Sequence, residues 1–124
     1  MHPATEATLI DMKPTELPIE VDVHTVKQMR DQGDDFLLLD CREMEEFAVA
    51  KIAGSVLVPM SQLQERVQEL QPHQQKRIIV HCHHGGRSLK VASWLRRQNF
   101  PLAQSMAGGI DAWSTEIDAK VPRY

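Results

Sequence analysis

The chain has 124 residues, the length of one ordinary domain that buries about two-thirds of its extended surface without help from disulfides or metal. Its 14 Lys and Arg stand against 17 Asp and Glu, for a net charge of −3, and the basic residues are scattered among acidic ones, which argues against nucleic acid as a partner. Apolar runs such as Phe36-Leu37-Leu38-Leu39 are far too short to span a bilayer and the N-terminus lacks the basic-then-apolar pattern of a signal peptide, so a cytoplasmic location is expected.

Residues 1–17 carry prolines among Thr, Glu and Ala without a sustained period and read as a flexible leader, leaving 18–124 as the domain. A strand is expected at Ile19–Val21. A helix follows from Val23 to Gln32, with Asp22 as its cap, Val26 and Met29 on one face, and Gly33 suited to a left-handed exit. Strand-like and helix-like segments then alternate: Phe36–Asp40, Met44–Val49, Val56–Val58, Gln62–Leu70, Arg77–His81, Ser88–Gln98, Gln104–Met106 and Ile110–Ala119. That rhythm predicts an α/β domain, a parallel sheet with helices on both faces. No internal repeat or second domain boundary is visible.

The chemistry concentrates in His81-Cys82-His83-His84-Gly85-Gly86-Arg87-Ser88, which follows the apolar run Ile78-Ile79-Val80 and precedes a helix. Backbone N–H groups of such a turn converge without internal partners and attract negative charge. A free cysteine has a pKa of about 8.5 and is only about 3% thiolate at neutral pH. A helix terminus contributes roughly one pKa unit. Loop amides and Arg87 together would bring the thiol into the ~3.5–7.5 range of activated cysteines, so Cys82 reads as a nucleophile rather than an inert buried thiol. In open parallel sheets ligands bind beyond the carboxyl ends of the strands, which places Asp40-Cys41-Arg42 and the Cys82 loop on one rim and lets Arg42 face the same pocket. The chain has only 2 cysteines, Cys41 and Cys82, which is no disulfide framework and suits a reducing compartment.

Four motifs in order resemble the rhodanese family of single-domain sulfurtransferases. They are Asp40-Cys41-Arg42 with Glu46-Phe47, Gly54 before Val56–Pro59, Cys82-x-x-Gly85-x-Arg87-Ser88, and Gly108-Gly109-Ile110-Asp111-Ala112-Trp113. The resemblance covers about Pro18 to the C-terminus and implies a five-stranded parallel sheet. It implies that Cys82 takes a sulfane sulfur from thiosulfate or a persulfide donor and passes it to a thiol, cyanide or a carrier protein. His83, His84, Gly85, Gly86, Arg87 and Ser88 form the active-site loop in this reading. Arg87 braces the loop through a carboxylate such as Glu46, with contact to substrate as the alternative, Asp40 gives structural support, and Arg42 is the candidate for attracting an anionic donor, with a surface charge at a strand end as the plain alternative. No cofactor and no metal are implied, and neither nucleic acid nor membrane is an expected partner.

The chain departs from the family in Ala50-Lys51-Ile52-Ala53-Gly54-Ser55, where Gly-His-Ile-Pro-Gly-Ala is common, and in a loop that holds His83 and His84 but no lysine. A weakly charged loop favours an organic or protein persulfide over the thiosulfate dianion. The closing run from Gly108 also resembles rhodanese modules attached to enzymes that sulfurate small carrier proteins, an analogy that favours protein acceptors. Three rivals stand beside this reading. A phosphatase or arsenate reductase would use Cys-x5-Arg, one residue longer than the span from Cys82 to Arg87. A zinc site would draw on His81, Cys82, His83 and His84, but adjacent residues on a strand point to opposite faces and no spaced second cluster is present. A non-catalytic interaction module is the third. Cys41 is either a thiol that resolves Cys82, since adjacent strands are about 4.8 Å apart, or a small apolar residue with its sulfur turned inward. Trp94 and Trp113 read as packing, and Gly108-Gly109 as a turn into the last helix.

Overall fold

The computed structural model describes residues 17–124; of the expected leader, only Leu17 lies among them. Five parallel strands, β1 (Glu20–Val21), β2 (Phe36–Asp40), β3 (Val56–Leu57), β4 (Arg77–His81) and β5 (Ala103–Met106), form one sheet in the order β1-β5-β4-β2-β3. The helices are α1 (Val23–Asp31), α2 (Met44–Val49), α3 (Leu63–Arg66), α4 (Gly86–Arg97) and α5 (Gly109–Glu116). Among the described residues no helix is long and apolar enough to cross a membrane.

The two central strands read as continuous apolar runs because both of their faces are covered. Period-2 alternation divides them. Leu37, Leu39 and Cys41 join Ile78, Val80 and Cys82 in one core, against Val91, Ala92 and Leu95 of α4. Leu38 and Ile79 face the other core, with Val26 and Met29 of α1 and Ile110 and Trp113 of α5. Helix α1 starts where the Asp22 carboxylate accepts from the Thr25 amide at 2.7 Å, and the turn after it passes through Gly33 at φ 73°. Strand β5 is wholly buried despite its polarity. Gln104 is matched there, its Oε1 accepting from Arg77 at 2.6 Å and its Nε2 donating to Pro18 O at 2.8 Å.

The segment expected as one helix over Gln62–Leu70 is broken into 3-10 turns at Met60–Gln62 and Val67–His73 around the single α-turn of α3. Its apolar spacing is real, since Leu63 and Leu70 are buried and Val67 packs beside them. Pro72 has no N–H to give the preceding turn, and the last stretch tightens to 3-10 geometry.

The order of strands positions the site. From β2 the chain moves to β3 on one side, and from β4 to β5 on the other. Their carboxyl ends therefore flank a crevice where connections leave in opposite directions. Beneath it, Asp40 and His81 are register partners. His81 is completely buried and both ring nitrogens lack a hydrogen-bond partner, and burial pushes its pKa down to about 4 against a weaker pull from Asp40. The unfolded chain takes up this proton near the ordinary histidine pKa of about 6.5, so over the window between these values it binds more protons than the folded chain. Stability is expected to fall as pH drops from about 6.5 to about 4.5, by about 2–3 kcal/mol from this group. Urea unfolding at a series of pH values should show that slope, and His81→Gln should flatten it.

Candidate active site

Cys82 is the first residue past β4 and is 1% exposed. The chain must turn at once to feed α4, and it does so through Gly85, which caps the helix at φ 116°, a conformation that disfavours any side chain. This turn aims two amides at the sulfur: Gly85 N–H donates to Sγ at 3.1 Å and Ser88 N–H at 3.3 Å. The Ser88 hydroxyl stands 3.4 Å from Sγ and 2.7 Å from the Ser105 hydroxyl on β5. The strongest support comes from Cys41. Its neighbouring thiol, against the cost of burial, does most to hold the Cys82 pKa well below the ordinary thiol range, followed by the Ser88 hydroxyl and the two amides. The same interaction pushes the Cys41 thiol up, so Cys41 keeps the proton and Cys82 the charge.

The loop is clamped from below by α5. Its first amides bond the loop carbonyls, Ile110 N–H to Cys82 O at 2.9 Å and Asp111 N–H to His83 O at 3.1 Å. Gly109 makes this approach possible, because a Cβ there would lie 2.5 Å from both of those oxygens. Gly108-Gly109 thus does more than turn the chain.

Arg87 is committed to a carboxylate of α2. Its guanidinium forms a two-pronged ion pair with Glu46 at 2.7 and 2.8 Å, which lowers the Glu46 pKa to about 2. Tyr124 O–H donates to the same carboxylate at 2.8 Å. The helix that carries Glu46 also begins on it, since Glu46 Oε1 accepts from Glu43 N–H at 3.1 Å. Loop, α2 and C-terminal segment are thereby joined at one carboxylate.

Arg42 corrects the expectation from sequence. Rather than facing the crevice as an anion attractor or lying on the surface, it is 0% exposed. It donates to Asp40 at 2.7 and 2.9 Å, to Ala50 O at 2.6 Å, to Tyr124 Oη at 2.8 Å and to Glu46 O at 3.3 Å. The physical reason is Asp40: a carboxylate at the end of a buried strand needs a cation, and the side chain two residues on turns back to supply it.

His84 is exposed, but His83 is not the free loop residue its sequence position suggests. Its ring is sandwiched between His84 at 3.9 Å and Tyr124 at 4.0 Å. His83, His84 and Asp111 bring possible metal-ligand atoms within 4.8 Å of one another, but Asp111 is already paired with Arg123 at 2.8 and 3.4 Å. Tyr124, Ser105 and Asp111 were not singled out from sequence. Only the family-like run containing Asp111 carried any local signal, whereas the other two reach the site through the tertiary fold.

Fold and loop together define a class, an α/β domain of rhodanese type with an anionic cysteine at its switch point. The profile of the rhodanese-like domain matches residues 22–116, and the chain belongs to that family. It is similar to the adenylyltransferase and sulfurtransferase MOCS3-1 of Zea mays, at 31% identity over 79% of this chain and 22% of that protein. It is also similar to a sulfurtransferase of Allochromatium vinosum, at 27% identity over 77% of this chain and 87% of that one. The rhodanese-related protein of Thermoplasma volcanium superposes with a TM-score of 0.72 at 26% identity, covering 81% of this chain and 94% of that one. The chain spans 21% to 52% of the length of the curated relatives it matches most strongly.

Replacing Arg42 separates a buried support from a substrate contact. Arg42→Ala leaves Asp40 charged, buried and unpaired, and should cost on the order of 3–5 kcal/mol of stability. The double change Asp40→Asn with Arg42→Met removes both charges and should recover part of that loss in denaturant unfolding.

Proposed function

We propose that this domain is a sulfurtransferase in which Cys82 carries sulfane sulfur as a persulfide. The observation that supports this most is the cradle of Gly85 and Ser88 amides aimed at the Cys82 sulfur, whose pKa is held well below the ordinary thiol range. The Cys82 thiolate attacks the outer sulfur of the donor; the donor's bond to that sulfur breaks, and the leaving group departs with the electron pair, as sulfite from thiosulfate or a thiolate from an organic persulfide. Loop amides aimed at the sulfur stabilise charge on both the resting thiolate and the persulfide. An acceptor thiol, cyanide or carrier protein then attacks the terminal sulfur and returns the Cys82 thiolate.

The same geometry argues about the donor. Arg87 is engaged by Glu46 and Arg42 is buried under Asp40, so neither offers a free guanidinium to a small dianion. We therefore assign an organic or protein persulfide as the better donor and a protein as a fitting acceptor. The activated thiol favours this catalytic reading over an interaction module. The span of four residues between Cys82 and Arg87, with Arg87 engaged by Glu46, favours it over phosphate chemistry. Two free cysteines suit the cytoplasm we propose for the chain.

Peptide mapping by mass spectrometry after incubation with thiosulfate, mercaptopyruvate or a persulfidated desulfurase tests this reading. Cys82 should gain one sulfur atom, and the persulfide donor should load it about tenfold faster than thiosulfate, the equivalent of one lost charged contact at ~1.4 kcal/mol. Cys82→Ser should gain none. If Cys82 gains no sulfur from any donor, the proposal is wrong.

A further inference from the structure

Cys41 supports the Cys82 thiolate in the transfer reaction, but its own sulfur is not used there as a nucleophile. It lies directly beside Cys82 because of strand register. Asp40 pairs with His81 in the parallel ladder, and the ladder runs one step further, Cys41 N–H donating to His81 O at 3.1 Å. The next residues on the two strands are Cys41 and Cys82, and both side chains enter the same core. Neighbouring strands are about 4.7–4.9 Å apart, inside the Cα window of about 4.4–6.8 Å that a disulfide requires. The two thiols are close enough for each to shift the other's proton affinity. Cys41 is 0% exposed, so Cys82 is the one electrophile that can reach it without an opening of the core.

We propose that Cys41 discharges a stranded Cys82 persulfide, releasing hydrosulfide and closing a Cys41–Cys82 disulfide. The inference rests on the persulfide reading given above. The Cys41 sulfur attacks the inner sulfur of the persulfide, Sγ of Cys82. A new Sγ–Sγ bond forms, the bond from Cys82 Sγ to the outer sulfur breaks, and the electron pair leaves with the outer sulfur. The proton of the Cys41 thiol goes to that sulfur, so Cys41–SH and Cys82–S–S⁻ become Cys41–S–S–Cys82 and HS⁻. The two cysteine sulfurs are oxidised and the sulfane sulfur is reduced, so the step needs no outside oxidant. Hydrosulfide, the weakly basic conjugate base of hydrogen sulfide, is a good leaving group by the rule that governs thiol exchange. An external thiol in two equivalents then reduces the disulfide and resets the site.

Position separates discharge from transfer. An acceptor arriving from solvent meets the outer sulfur, which the loop side of Cys82 presents, whereas Cys41 sits in the core beside the inner sulfur. With an acceptor present, sulfur moves on; without one, the domain becomes a sulfide-releasing enzyme and stops in an oxidised form.

The test starts from protein loaded with a small organic persulfide and desalted into thiol-free buffer. Loading of Cys82 is measured first by peptide mass, so a failure to load is read as failure of the persulfide reading itself. The loaded protein is then followed for released sulfide with a sulfide-specific dye, and for a Cys41–Cys82 cross-linked peptide by non-reducing mapping. Wild type should release one sulfide per persulfide and accumulate the cross-link. Cys41→Ser and Cys41→Val, each checked for loading, should keep the persulfide at least about tenfold longer and form no cross-link. Equal decay in wild type and both variants, or loss of sulfur without the cross-link, would overturn the proposal.

Discussion

A sulfur that carries negative charge while almost wholly removed from water has to be held by fixed dipoles and hydrogen bonds, and the rest of this structure follows from that constraint. Burial alone drives a thiol toward its neutral form. Here it is opposed by two amides, a serine hydroxyl and a neighbouring thiol. Each of these depends on a different part of the fold. The amides depend on the left-handed Gly85. The hydroxyl sits against Ser105 of β5, and the thiol is delivered by register between β2 and β4.

Because strand side chains alternate, the register that pairs Cys41 with Cys82 on one face also places Asp40 and His81 on the other. The first pair forms the proposed reactive site and the second carries a structural burden. Asp40 holds Arg42 in full burial, and Arg42 in turn ties down the carbonyls of Ala50 and Glu46 and the Tyr124 hydroxyl. Replacing such a pair with apolar residues is often neutral, while breaking it is costly, so it is best seen as a device that fixes the end of β2 and with it the position of Cys41. Glu46 plays the matching part on the other side of the crevice, joining Arg87 of the loop to Tyr124. Three segments distant in sequence are locked around one thiol without any of their charges touching it.

Much of this was legible in sequence, and the limits have physical causes. The central strands read cleanly because both faces are buried, so Phe36–Asp40 and Arg77–His81 match the structure residue for residue. The helix Met44–Val49 matches as well. The stretch after Pro59 was misread as one helix because its apolar spacing is helical while Pro72 and local packing impose 3-10 turns. In the site, Cys82 and its loop announce themselves through local chemistry. Arg42 did not, because its partners Ala50 and Tyr124 come from elsewhere in the chain, although an aspartate ending an apolar strand already calls for a nearby cation. The stacking of His83 was hidden for the same reason: its partner Tyr124 is distant in sequence. Cys41 stood out only as one of two options, since a sequence fixes which strands are apolar but not which of them are neighbours.

The most direct measurement of the central claim is a titration of the ultraviolet thiolate absorbance of the native protein, with Cys82→Ser as the blank. If dipoles and the Cys41 thiol hold the charge, the Cys82 signal is fully present at neutral pH and disappears only far below the ordinary thiol pKa of about 8.5. In Cys41→Val the midpoint should move upward. A Cys82 thiolate that forms only at or above about 8.5, in wild type and variant alike, would contradict the account.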